Sequence, residues 1–145
     1  MARRSRAREV ALQALYQADL NPGGSQDQLG RFLAARLPDE DLREFAKQLV
    51  LGVRRNQAEL DALVEQRAAN WSLRRMAATD RNVLRLAAYE IRYTDTPGRV
   101  AIDEAIELAK RFGAAQSAQF VNGILDKLLD KPQRASSAPP PAPPG

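Results

Sequence analysis

Between Val100 and Leu128 the chain reads VAIDEAIELAKRFGAAQSAQFVNGILDKL, and the spacing of its apolar residues leaves little choice of secondary structure. Ile102, Ala105, Ile106, Ala109 and Phe112 recur every three or four positions, while Asp103, Glu104, Glu107, Lys110 and Arg111 fall between them. That is the period of an amphipathic helix, one stripe for a core and one for water. Gly113 follows the last periodic residue, where a helix end favours a left-handed residue, and Lys110 and Arg111 sit where the helix dipole attracts cations. A second helix opens at Ser117 as its N-cap and turns Val121, Ile124, Leu125 and Leu128 inward. Phe120 falls in its first turn. Asn122 and Gly123 suggest a close neighbour, because an interior glycine costs about 1 kcal/mol relative to alanine.

The same period runs through most of the chain. A first helix is expected from about Ser5 to Asp19, with Val10, Ala11, Ala14, Leu15 and Ala18 inward, ended by Asn21, Pro22, Gly23 and Gly24. A short helix from Gln26 to Ala35 stops before Pro38, after which Asp39 opens a longer one carrying Leu42, Phe45, Ala46, Leu49, Val50 and Val53. Asn56 can cap the next, which carries Leu60, Leu63 and Val64 to about Ala68 and leaves Trp71 and Leu73 in a connection. Thr79 is the expected cap of a central helix, TDRNVLRLAAYEIRY, with Val83, Leu84, Ala87, Ala88 and Ile91 inward and Pro97 and Gly98 at its end. No segment alternates as a strand would, so the expectation is an all-α fold of about seven helices. From Pro132 onward, PQRASSAPPPAPPG holds six of the nine prolines and no large apolar residue. Residues 132–145 therefore read as a disordered Pro-rich tail, and residues 1–131 as one domain.

No run of about 18 apolar residues exists, and the arginine-rich start leads into an amphipathic segment, so neither a membrane span nor a secretory signal is expected. The reading is a cytoplasmic protein. The chain has no cysteine, hence no disulfide or thiolate metal site, and no histidine, hence neither the commonest general base nor the commonest metal ligand. This weighs against an enzyme, and no cofactor or metal is expected. The acids Asp103, Glu104 and Glu107 read as a solvated face, since neighbouring acids on a helix point in different directions.

The formal net charge is +4, from 22 basic and 18 acidic residues. Arg3, Arg4, Arg6 and Arg8 precede the first acid, and without them the rest balances at 18 against 18. The excess is local, which suits an anionic partner. Guanidinium groups can both pair with phosphate and stack on a base, so these four arginines are candidates for an RNA site. Charge alone does not separate that reading from a solvated basic terminus. Ser117 begins a helix whose free N–H groups and positive dipole end suit a phosphate. Phe120 could stack on an unpaired base or pack beside Ile124, the commoner fate of phenylalanine. Tyr16, at the polar edge of the first helix, could reach RNA or a protein, or be buried with its hydroxyl satisfied.

Three blocks, RRSRAREVALQALYQADL, TDRNVLRLAAYEI and VAIDEAIELAKRFGAAQSAQFVNGILDKL, resemble the bacterial NusB family of transcription antitermination factors. The blocks span Arg3 to Leu128; residues 21 to 78 and the tail are less diagnostic. The resemblance implies two packed helical bundles without catalysis. It implies pairing with the small ribosomal subunit protein also called NusE, joint binding of single-stranded boxA RNA in ribosomal RNA leader transcripts, and an indirect link to the RNA polymerase antitermination complex. It places Phe120 on the RNA-facing surface, and Gln116 where some members carry an acid; a neutral amide there does not repel phosphate. Asp80 and Arg81 match an acidic-basic pair near the ribosomal-protein surface, though Asp80 also suits a helix start and Arg81 could be merely solvated. A homodimer stays open. So do two other functions: a module of ribosomal RNA modification, for which no glycine-rich cofactor fold or cysteine nucleophile is present, and a protein-interaction bundle without RNA. The RNA reading requires Gln116, Ser117 and Phe120 to lie near the N-terminal arginines.

Overall fold

The computed structural model describes residues 2–69 and 71–135. Among them are seven α-helices, one 3-10 turn and no strand: α1 (Ala2–Leu20), α2 (Gln26–Arg36), α3 (Glu40–Arg55), α4 (Gln57–Arg67), the 3-10 turn (Leu73–Arg75), α5 (Ala78–Tyr93), α6 (Gly98–Phe112) and α7 (Ser117–Ala135). The all-α expectation holds. Helix α7 continues to Ala135, into the segment read as tail from Pro132, and residues 136–145 of that segment lie outside the described residues.

Helices α1 and α3 pack together with α2 against them, while α4, α6 and α7 gather around α5. Helix α5 also touches α1 and α3, so it joins the two groups. Its burial matches that place. Asn82, Val83, Leu84, Arg85, Leu86, Ala87, Ala88 and Glu90 are all buried, which takes in more than the one apolar stripe the periodicity marks. A helix buried on several sides and yet carrying Asn82, Arg85 and Glu90 must find partners for them. Arg85 finds Asp61 of α4, through hydrogen bonds of 2.7 and 3.0 Å, and Asn82 finds Asp19 of α1, at 2.9 Å.

Some helix ends follow the expected chemistry and others do not. Asp39 caps α3, its Oδ1 accepting the Asp41 N–H at 2.8 Å. Ser25 and Gln28 form a reciprocal capping box on α2. Gly23, in the turn between α1 and α2, has φ +113°, a conformation that glycine alone adopts freely. Asn56 does not cap α4: its side chain donates to the Gly52 carbonyl at 2.8 Å and so closes α3 instead. Thr79 lies inside the first turn of α5, whose N-cap is Ala77. Gly113 is extended, with φ −96° and ψ −169°, not left-handed. Its lack of a side chain matters for space, since a Cβ there would lie 2.6 Å from the Ser117 Cβ and 2.7 Å from the Ala109 carbonyl oxygen. Phe112, expected inward, is exposed.

The glycines also correct the expected close contact. A Cβ on Gly123 would meet nothing within 4 Å, whereas a Cβ on Gly52 would fall 2.1 Å from the Tyr89 ring. The close approach expected at Gly123 is found instead at Gly52, between α3 and α5. Gly123→Ala should therefore stabilise the protein by about 0.5 to 1 kcal/mol through helix propensity. Gly52→Ala should destabilise it by about 1 to 3 kcal/mol through overpacking. Urea denaturation of the two variants checks both signs, and equal midpoints would contradict the packing described.

Candidate nucleic-acid interface

The four N-terminal arginines all lie in α1, and helical geometry sends them to different places. Arg4 and Arg8, four residues apart, share a face and both stand over the Phe45 ring of α3, at 4.5 and 5.2 Å. Arg8 lies deeper and is only 4% exposed. Its Nε and Nη2 donate to the two carboxylate oxygens of Glu90 on α5, each at 2.8 Å. The Thr96 hydroxyl donates to the same carboxylate at 3.0 Å, and Glu104 of α6 lies 3.9 Å from Arg8. Burial works against the charged form of Arg8, but the hydrogen bond to Glu90 and the charges of Glu90 and Glu104 outweigh it and raise its pKa. Arg8 is thus an internal structural cation and not, as its place in the run suggested, a group that can grip RNA.

Arg3, Arg4 and Arg6 remain on the surface. Arg3 pairs with Asp39 at the start of α3, and Arg6 donates to Glu9 at 3.0 Å. Glu9 also accepts from Arg111 in the last turn of α6, so one carboxylate stands between two guanidinium groups. Ser5 donates to Glu104 at 2.9 Å, a second tie between α1 and α6. Glu104 is therefore engaged by α1 and does not share the solvated face of Asp103 and Glu107. Arg111 belongs beside the candidate site, although in the sequence it reads only as a dipole partner of α6. Its position depends on how α6 meets α1, which helical period does not reveal.

Arg111 leads directly into the turn at residues 113–116, where Gln116 is exposed. Gln116 is thus tied to the arginine edge along the chain, through the end of α6 that carries Arg111. Ser117 is not part of that surface: it is 3% exposed, and its hydroxyl accepts the Ala114 N–H at 2.9 Å within the turn. It stabilises the turn and does not cap α7. The Ser117 and Phe120 N–H groups already donate to Ala114 and Gln116 carbonyls, both at 3.1 Å, so this helix start offers fewer free donors than the sequence implied. Phe120 is half-buried; it packs on the core and meets Trp71 edge to face, with centroids 5.7 Å apart at 73°.

Tyr16 is 39% exposed. It lies ten residues beyond Arg6 on α1, about 15 Å along the axis, so it belongs to a different part of the surface. Asp80 is half-buried at the start of α5, and its Oδ1 is sheltered without a hydrogen-bond donor. Arg81 has no free role on a surface. It donates to Asp19 at 2.8 Å and to the Leu73 and Met76 carbonyls at 3.0 and 3.1 Å, holding the α4–α5 connection against α1. Burial alone would raise the Asp19 pKa; hydrogen bonds from Asn82 and Arg81, with the charges of Arg81 and Arg85, bring it below the ordinary value. Among the described residues no group of three acids, histidines or cysteines is arranged to hold a metal. No helix among them is long and apolar enough to cross a membrane.

A family model described as the NusB family matches residues 5–130 of the chain. The chain is 49% identical over 128 residues to "Transcription antitermination protein NusB" of Anaeromyxobacter dehalogenans, covering 88% of this chain and 90% of that one. It is 45% identical over 139 residues to the protein of the same description from Desulfatibacillum aliphaticivorans, covering 93% and 97%. Its fold is similar to that of T. maritima NusB, with a TM-score of 0.79 at 39% identity over 88% of this chain and 91% of that one. It is equally similar to a chain in a crystal structure of antitermination factors NusB and NusE in complex with dsRNA, with a TM-score of 0.79 at 28% identity over 89% and 97%.

The division of the arginines predicts different stabilities. Arg8→Ala leaves Glu90 buried without its cation and should cost about 3 to 5 kcal/mol. Arg6→Ala should change stability by no more than about 0.5 kcal/mol. Urea titration reads both, and similar losses would contradict the assignment. Because the Asp19 pKa is lowered on folding, its contribution is complete above the unfolded carboxylate value and is lost as pH falls through the folded one. Asp19→Asn should flatten the stability profile below about pH 4. An unchanged acid limb in urea midpoints measured against pH would contradict this.

Proposed function

The chain belongs to the NusB family, and from that membership we propose that it is a transcription antitermination factor acting as a non-enzymatic RNA-binding adaptor. With the ribosomal protein NusE it binds single-stranded boxA RNA of ribosomal RNA leader transcripts and so joins the antitermination complex of RNA polymerase. The relatives named as antitermination proteins, and the fold shared with a chain crystallised with NusE and RNA, support this reading.

The observation that carries it in this chain is the cationic edge around the start of α1, which reaches α3 through Arg3 and Arg4 and α6 through Arg6. Arg3, Arg4 and Arg6 are exposed, and Arg111 joins them across Glu9. A guanidinium has five donors, so an exposed one bonded to a carboxylate keeps others for phosphate. The Arg3–Asp39 pair is exposed and contributes little, about 0 to 1 kcal/mol, so a phosphate can replace it at small cost, whereas the largely buried Glu9 stays bound between Arg6 and Arg111. Gln116 extends this edge without adding negative charge, and Phe120 offers part of an aromatic ring beyond it. Asp80, half-buried at the start of α5, is the residue assigned to the ribosomal-protein surface.

Adaptor function requires cooperative binding, since each partner must raise the other's affinity for the common complex by the same factor. Titration of labelled boxA RNA with the protein, with NusE and with both should show much tighter binding by the pair; equal affinities would overturn the reading. Replacing Arg3, Arg4 and Arg6 by alanine should reduce the steepness of the log-log salt dependence by about 2, at about 0.7 per phosphate contact on a single strand. An unchanged slope would place the RNA elsewhere.

A further inference from the structure

We propose that Trp71, in the connection between α4 and α5, is a base-stacking residue that extends the RNA interface beyond Phe120. The assignment rests on the RNA-binding reading above and adds a second aromatic surface to it.

Trp71 is the only tryptophan in the chain, and it is 47% exposed. Its contact with Phe120 is an edge-to-face pair at 5.7 Å and 73°. Rings inclined so steeply do not cover one another as stacked rings do, so Phe120 leaves at least one face of the indole uncovered. Phe120 itself is anchored in the core, and it supports Trp71 from the side.

The backbone beneath Trp71 is held from several directions. Its own N–H donates to the Ala68 carbonyl at 3.1 Å, and the Leu73 N–H donates to Glu65 at 2.8 Å. Arg81 binds the Leu73 and Met76 carbonyls, while the Leu73 and Met76 side chains are buried. An exposed aromatic on an anchored segment loses little freedom on binding, which favours a recognition role. This also gives Arg81 its function: it is a positioning residue for the connection that carries Trp71.

The charge nearby suits an anion. Arg74 and Arg75 occupy the 3-10 turn directly after Trp71, are exposed, and make no ion pair among the described residues. Glu65 is the acid bonded to this turn, and one oxygen of its carboxylate is engaged with the Leu73 N–H. An exposed aromatic in the same short connection as two exposed guanidinium groups, unpaired among the described residues, combines base stacking with phosphate neutralisation, the pairing that single-strand binders use. The patch is joined to the proposed edge along the chain, through the turn from α6 into α7. Arg6 and Arg111 meet at Glu9, Arg111 leads through the 113–116 turn to Gln116 and Phe120, and Phe120 touches Trp71. A strand following this line would meet cations at both ends and aromatics between them.

A single tryptophan makes the test direct. The full-length protein, with and without NusE, is titrated with fluorescein-labelled single-stranded boxA RNA; anisotropy reports binding, and indole emission is followed in a parallel titration with unlabelled RNA. Emission should be quenched with the same midpoint as the anisotropy change. Trp71→Ala should weaken binding about 5- to 150-fold, the range for one stacked base, and Trp71→Phe should retain most of the affinity. RNA that binds while indole emission and the Trp71→Ala affinity stay unchanged overturns the assignment and leaves the RNA reading intact. Quenching by the ribosomal protein but not by RNA makes Trp71 a protein contact and overturns it as well. Absence of any anisotropy change with boxA RNA, with NusE present as well as without it, overturns the RNA reading and this assignment together.

Discussion

The arrangement of this molecule depends on the ion pair between Arg8 and Glu90. Burying two charges costs several kcal/mol per ion, and only close geometry with further hydrogen bonds offsets that cost. Here the guanidinium meets the carboxylate through two bonds of 2.8 Å, Thr96 donates to the same carboxylate, and Glu104 lies beyond. A hydrophobic pair of similar volume could stabilise as much. It would not fix direction as a bidentate contact does. This contact joins α1 to α5, the helix that links the two groups, and Thr96 brings the α5–α6 connection to the same point. With α1 held in that rotation, Arg4 falls on Phe45, Ser5 reaches Glu104, and Arg6 meets Arg111 across Glu9. The buried arginine thereby presents the exposed ones.

A second, half-buried polar group works in the same way at the opposite end of α1. Asp19 accepts from Arg81 and Asn82, and Arg81 continues to the carbonyls of Leu73 and Met76. One set of contacts aims the cationic start of α1, and the other anchors the connection that bears Trp71. Both fix surface chemistry from within, so altering these groups should disturb the surface without touching it.

Helical period made most of the fold legible, because apolar stripes at Val10, Ala11 and Ala14 or at Ile102, Ala105 and Ala109 admit few other structures. What it could not supply was the partner of each polar side chain. Arg6 and Arg8 look alike in a run of arginines, and Glu90, which separates them, lies 82 residues from Arg8. A faint signal did exist: Arg8 shares helical phase with Ala11 and Leu15, both buried, so the apolar stripe itself pointed to an inward arginine. Arg111 and Trp71 carried no comparable signal, since their importance arises where α6 meets α1 and where the α4–α5 connection meets α7. Ser117 and Asn56 depart from their expected caps for one shared reason. Each has cap chemistry near a helix end, but nearby backbone groups decide which end it serves.

The central claim is that RNA meets the edge formed by Arg3, Arg4, Arg6 and Arg111 and continues over Gln116, Phe120 and Trp71, while Arg8 stays inside. NMR titration of the isotopically labelled protein with single-stranded boxA RNA tests it most directly, because amide and guanidinium signals report each residue separately. The account predicts perturbations along that line, with the Arg8 guanidinium keeping its protected, hydrogen-bonded signal at saturation. Perturbations centred on α2 and the outer face of α3, or loss of the protected Arg8 signal on binding, would contradict it.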